Sequence, residues 1–155
     1  MHILKTNLKT ELGRICSNVL FEEPLSRHTS LKVGGPAWAW IRVKDPEELV
    51  QILDFAKTET LPVAVVGGGC NLLINDAGFP GIVLNFRTSH FRRIERDHET
   101  LQIGAGVLND ELLNFCRQHG LGGLEFMTGV REAWGVPSSG MQEAMVKRSA
   151  SRLKD

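Results

Sequence analysis

The chain has no tyrosine among its 155 residues, no surplus charge and no long apolar run. Eighteen Lys and Arg offset eighteen Asp and Glu, for a formal net charge of zero. No global field therefore draws it to nucleic acid or to a membrane surface. Nothing approaches the roughly 18 consecutive apolar residues of a membrane span, and the N-terminus lacks the apolar core of a signal peptide. A soluble, cytoplasmic protein is the expectation. Cys16, Cys70 and Cys116 are odd in number and far apart, without a Cys-x-x-Cys pair, which argues against a disulfide scaffold or a zinc ribbon. His28, His90, His98 and His119 have no metal-ligand spacing, and no Gly-x-Ser-x-Gly elbow is present for nucleophilic catalysis. At this length a large multidomain enzyme is excluded. What the chain has in quantity is glycine, sixteen residues, with 42% hydrophobic residues, enough to bury roughly 68–70% of its unfolded surface.

Apolar positions at Leu8, Leu12, Ile15 and Val19 suggest one amphipathic helix over Leu4 to Leu20, broken by Glu23-Pro24. A Gly34-Gly35-Pro36 turn then leads into an alternating strand-like segment reaching Val43, where Trp38 and Trp40 share one face and pack in the core or at an edge. Asp45 can cap a helix that has Pro46 at its first position, Glu48 in a capping-box-like place, and Leu49, Ile52, Leu53 and Ala56 as the buried stripe. Leu61 to Val66 is a continuous apolar run, as in a strand buried on both faces, and Ile82 to Leu84 reads as a second short buried strand. A hairpin over Phe91 to Ile94 and Thr100 to Ile103 turns at Asp97-His98. Asn109 can cap a helix with Leu112, Leu113 and Cys116 inward, ending near Gly120. Alternating signals to about Val130 indicate an α/β or α+β domain.

The sharpest local feature is Val65-Val66-Gly67-Gly68-Gly69-Cys70-Asn71-Leu72-Leu73. Three glycines after a strand allow positive φ and close backbone approach, and successive N–H groups can form a concavity for a phosphate. A diphosphate cradle and a plain glycine turn both satisfy that pattern. No Gly-x-x-x-x-Gly-Lys-Ser/Thr occurs, and Asn109 stands where a dinucleotide fingerprint beginning at Gly104 needs glycine or alanine. Arg87, His90, Arg92, Arg93 and Arg96, interleaved with Phe86 and Phe91, have the look of a single-strand-binding patch. Glu95, Asp97 and Glu99 offset it, which favours a solvated hairpin face. His28 reads as an isolated loop or surface residue.

Four stretches resemble the UDP-N-acetylenolpyruvoylglucosamine reductase family: Pro24 to Ala37, Leu61-Pro62-Val63 through Gly67 to Leu73, Gly104 to Val107, and His119 to Phe126. Order and spacing agree from Leu8 to Val130. The resemblance implies an α+β fold, an incomplete FAD-binding domain of the PCMH/vanillyl-alcohol-oxidase type. It further implies an N-terminal helical segment over 1–28, the partial FAD-binding domain over 29–130 and a non-family tail over 131–155. FAD is the implied cofactor, held at Gly67, Gly68, Gly69, Cys70, Asn71, Leu72 and Gly129. Cys70 stands where the family usually has serine, which leaves the backbone donors intact. NADPH is the implied co-substrate and an enolpyruvyl UDP-sugar the implied partner, in peptidoglycan synthesis. The family's catalytic serine, glutamate and arginine lie downstream of the match, so no catalytic residue is assigned here and the chain alone is expected to be inactive. A non-enzymatic FAD- or nucleotide-binding remnant is an alternative. Another flavin oxidoreductase of the same fold is a second, disfavoured by the match at Arg27 to Ala37.

The resemblance stops after Gly129-Val130, where the family continues into a Gly-Ile/Val-Pro-Gly-x-x-Gly-Gly loop and an Asn-Ala-Gly segment. Val130 to Pro137 can be encoded as GTC CGG GAA GCG TGG GGG GTG CCG. Restoring one C after the valine codon gives Val-Pro-Gly-Ser-Val-Gly-Gly-Ala, and the same frame then permits Asn-Ala-Gly. The tail is therefore expected to be an out-of-frame translation after a single-nucleotide loss. Resequencing the gene should recover the family-like loop in the alternate frame; a frame with no such coding sequence contradicts this.

Overall fold

The structure is a computed structural model and describes residues 2–70, 72–98 and 100–129; the tail expected to be out of frame lies outside them. A four-stranded sheet has the order β1-β2-β4-β3, built from β1 (Val19–Pro24), β2 (Pro36–Arg42), β3 (Val63–Val65) and β4 (Phe79–Asn85). β1 runs antiparallel to β2, and β4 is parallel to both β2 and β3. Helix α1 (His2–Ile15) and helix α2 (Pro46–Thr58) pack on one face. Beyond the sheet, β5 (Ile94–Asp97) and β6 (Thr100–Ile103) form a hairpin, followed by α3 (Asn109–Gln118); its second strand is as expected, but the first starts at Ile94 instead of Phe91 and runs through Asp97, which pairs with Thr100. A small core of Val107, Leu112, Cys116 and Leu124 joins α3 to that hairpin through Ile94, Leu101 and Ile103.

β2 and β4 are central and buried on both faces. Trp38, Ala39, Ile41, Ile82 and Leu84 face α1 and α2 with Leu12, Ile52 and Ala56. Ala37, Trp40 and Val83 face the other way, onto Leu25 and Val66. The two tryptophans thus lie on opposite faces, contrary to the two-residue alternation. The register of β2 against β4 shifts between Ala37 and Ala39, and such a bulge turns the following side chains over.

Four other expectations are corrected. The first helix stops at Ile15, because Val19 to Phe21 pair with Ile41 to Ala39 of β2; the segment 1–28 is helix, strand and a 3-10 turn at Leu25–His28. A β-branched and an aromatic residue in that stretch suit the ladder better than another helical turn. The apolar run Leu61 to Val66 is not buried on both faces: only Val63–Val65 is strand, and Val63 and Val65 are both 37% exposed. With β4 as its one neighbour among the described residues, β3 is an edge of the sheet they form. In α2, Asp45 caps as expected, accepting from the Glu48 N–H at 2.9 Å. Its buried face, however, is Glu48, Ile52, Phe55 and Ala56, with Leu53 turned outward. Asn109 is the first residue of α3 and Leu108 the cap position, whose N–H donates to Glu111 at 3.0 Å.

Candidate cofactor-binding site

Three parallel strands finish along one edge of the sheet. Register pairs Arg42 with Asn85 and Val65 with Leu84, so Arg42, Asn85 and Val66 form a row across the carboxyl ends. In open α/β sheets ligands bind outside such ends. Gly67-Gly68-Gly69 leaves β3 at that row. Gly69 has φ +69°, and a Cβ there would run into the His28 carbonyl oxygen. A left-handed backbone and a close approach together require glycine at this position. The Ser30 N–H donates to the Gly69 carbonyl at 3.0 Å and the Ser30 hydroxyl to the Cys70 carbonyl at 2.9 Å, stitching the turn to the chain after β1.

A cavity of about 640 Å³ opens here, walled by Gly67, Gly68, Cys70 and Asn85 on the strand side and by Arg27, Arg42, Arg87 and Arg92 around it. The N–H groups of Gly67 and Gly68 have no partner among the described residues. Two arginines are already engaged, Arg92 with Glu111 and Arg27 with Glu23 at 3.5 Å. Burial works to raise the Glu111 carboxyl, but the Leu108 N–H and the Arg92 guanidinium outweigh it and hold the group below its ordinary value. The guanidinium groups of Arg42 and Arg87 make no ion pair among the described residues. Four arginines against the Asp110 carboxylate in the wall and the engaged Glu23 and Glu111 leave an excess of positive charge at the mouth, as an anion site requires.

His28 is no isolated surface residue. Its ring stacks on Trp40, centroids 3.8 Å apart at 13°, while Nε2 lies 3.0 Å from Glu23 Oε1. Trp40, 3% exposed, shares the cavity wall and carries a buried Nε1 without a hydrogen-bond partner. An orphaned buried donor costs about 1–3 kcal/mol.

Of the residues the sequence assigns to the site, Gly67, Gly68 and Cys70 line the cavity and Gly69 shapes the turn. Leu72 is not in the wall; it packs beside Val66 and Trp40, as an apolar side chain next to a buried cluster does. Gly129 is exposed, with φ +87°, and is not in the wall either. Asn71 lies outside the described residues. Missed were Arg42, Trp40 and Asn85; Arg87 and Arg92, read as hairpin surface, face the cavity. Only the three-stranded register could have gathered them. Among the described residues no group of three or more His, Cys, Asp and Glu could hold a metal, and no helix is long and apolar enough to cross a membrane.

This geometry is a glycine turn at the ends of parallel strands, opening on an arginine-lined cavity. The model of the FAD binding domain family matches residues 37–141, and the chain belongs to that family, whose cofactor is FAD. Its similarity is to UDP-N-acetylenolpyruvoylglucosamine reductases: 42% identity with that of Geobacter sulfurreducens over 119 residues, 76% of this chain and 39% of the relative. With reductase 2 of Symbiobacterium thermophilum it shares 43% over 108 residues, 70% of this chain and 35% of the relative. The crystal structure of the Thermus caldophilus reductase (MurB) superposes with a TM-score of 0.59 at 32% identity, over 76% of this chain and 39% of that one. A solvent-stable cholesterol oxidase superposes at 0.51 with 16% identity, over 77% of this chain and 25% of that one, and shares the fold alone. The α+β fold is thus the FAD-binding domain of the PCMH/vanillyl-alcohol-oxidase type. The chain spans well under half the length of these relatives.

Opposite effects are expected at two glycines. Gly69→Ala should lower stability by more than about 1 kcal/mol, since alanine at positive φ also meets a backbone oxygen. Gly13→Ala, in α1 with open space around the position, should raise it by roughly 0.5–1 kcal/mol. Thermal unfolding of both variants checks the pair.

Proposed function

We propose that the chain is the cofactor-holding part of a UDP-N-acetylenolpyruvoylglucosamine reductase, with the FAD diphosphate on the Gly67-Gly68 turn. The observation that carries this reading is two unpartnered N–H groups at the end of β3, facing a cavity with two unpaired guanidinium groups. The residues fit the cofactor: a dianion meets backbone donors and cationic side chains in one cavity wall. When bound, FAD supplies hydride transfer through its flavin ring.

The chain's own part is binding and orientation. Gly67 and Gly68 donate to the diphosphate, Gly69 holds the bend, and Arg42 and Arg87 balance its charge. Each charge-assisted hydrogen bond is worth about 1.5–3 kcal/mol. Cys70 contributes backbone, Leu72 anchors the turn in the core, and Asn71 and Gly129 complete the proposed contacts. For the whole reductase, NADPH is the electron donor and an enolpyruvyl UDP-sugar the acceptor, a step of peptidoglycan synthesis in the cytoplasm that serves cell-wall biogenesis, cell shape and division. Neither nucleic acid nor membrane is a partner in this reading. No catalytic residue is assigned to this chain, which holds flavin without turnover.

Purified chain mixed with excess FAD and passed over a sizing column should retain flavin absorbance, while NADPH oxidation with the enolpyruvyl UDP-sugar stays at background. Loss of all flavin on the column contradicts the binding role. Sugar-dependent NADPH oxidation contradicts the absence of turnover.

A further inference from the structure

Asn85 closes β4 after Ile82, Val83 and Leu84, all at most 1% exposed, and is itself 4% exposed. A carboxamide in so apolar a row costs free energy unless every polar atom is bonded. Its bonds go to the turn across the cavity floor. Nδ2 donates to the Val66 carbonyl at 2.8 Å and to the Gly67 carbonyl at 3.3 Å, and Oδ1 accepts from the Arg87 N–H at 3.2 Å. Both donor hydrogens and one acceptor are used, so the carboxamide is satisfied.

The consequence follows from peptide geometry. In a trans peptide the C=O and the next N–H point in opposite directions, and no cis peptide occurs among the described residues. Holding the Val66 carbonyl toward Asn85 turns the Gly67 N–H away from it, and holding the Gly67 carbonyl does the same to the Gly68 N–H. Neither of these amides has a partner among the described residues. The remaining Asn85 bond fixes the backbone of Arg87, one of the two unpaired cations.

We propose that Asn85 is the positioning residue of the diphosphate site: one buried carboxamide turns the Gly67 and Gly68 amides outward and sets the backbone from which Arg87 reaches the same anion. This rests on the FAD reading above. Asn85 spends its carboxamide on protein partners and acts through the turn.

The test is calorimetric binding of FAD and of ADP, which carries the same diphosphate without flavin, to the wild-type chain and to Asn85→Leu and Asn85→Ser. Leucine removes every hydrogen bond, whereas serine keeps one hydroxyl donor. Folded Asn85→Leu should bind both ligands at least tenfold more weakly than wild type, with Asn85→Ser between them. Should Asn85→Leu not fold, a tenfold loss for both ligands in Asn85→Ser supports the assignment and wild-type affinity contradicts it. A merely structural role would lower the melting temperature and leave the affinities of the folded variants unchanged, which overturns the assignment while the FAD reading stands. No binding of either ligand to the wild-type chain overturns both.

Discussion

The pairing of β4 with β2 on one side and β3 on the other is the constraint on which the rest of the structure depends. β4 is buried along five consecutive residues, Gly81 to Asn85, so its backbone must be bonded on both edges and its side chains packed on both faces. Parallel partners meet that demand only with their carboxyl ends aligned. Arg42, Asn85 and Val66 therefore come to one line, and the glycine turn leaves the sheet where two other strands already end. The ligand cavity follows from how the core closes.

Electrostatics then distinguishes this edge from an ordinary loop cluster. Glu23 and Glu111 each hold one arginine in place, and exposed pairs of that kind contribute little to stability. Arg42 and Arg87 make no ion pair among the described residues and stand in the same wall as the Gly67-Gly68 turn. Backbone donors and guanidinium groups favour the same occupant, an oxygen-rich anion. The stack of His28 on Trp40, braced by Glu23, gives that wall a rigid surface.

Much of this was legible in the sequence because it is written locally. The Asp45-Pro46-Glu48 start of α2, the second hairpin strand over Thr100 to Ile103 and the glycine turn after β3 each depend on residues within a few positions of one another. What escaped depends on partners far along the chain. Val63 and Val65 are as apolar as any buried strand, yet β3 is an edge, and only the sheet order determines that. One bulge in β2 sends Trp40 to the cavity side and Trp38 to the helices. Asn85 had no signal at all: 18 residues separate it from Gly67, and its role exists only through their contact. Resemblance to a family supplied the ligand's identity, which neither spacing nor composition contained.

Assigned amide NMR spectra of the chain, recorded as FAD is added, test the central claim most directly. The account predicts that the Gly67 and Gly68 N–H resonances shift most strongly and exchange with water more slowly once the diphosphate is bound. FAD binding that leaves those two amides unmoved, with the shifts gathered elsewhere on the sheet, would contradict it.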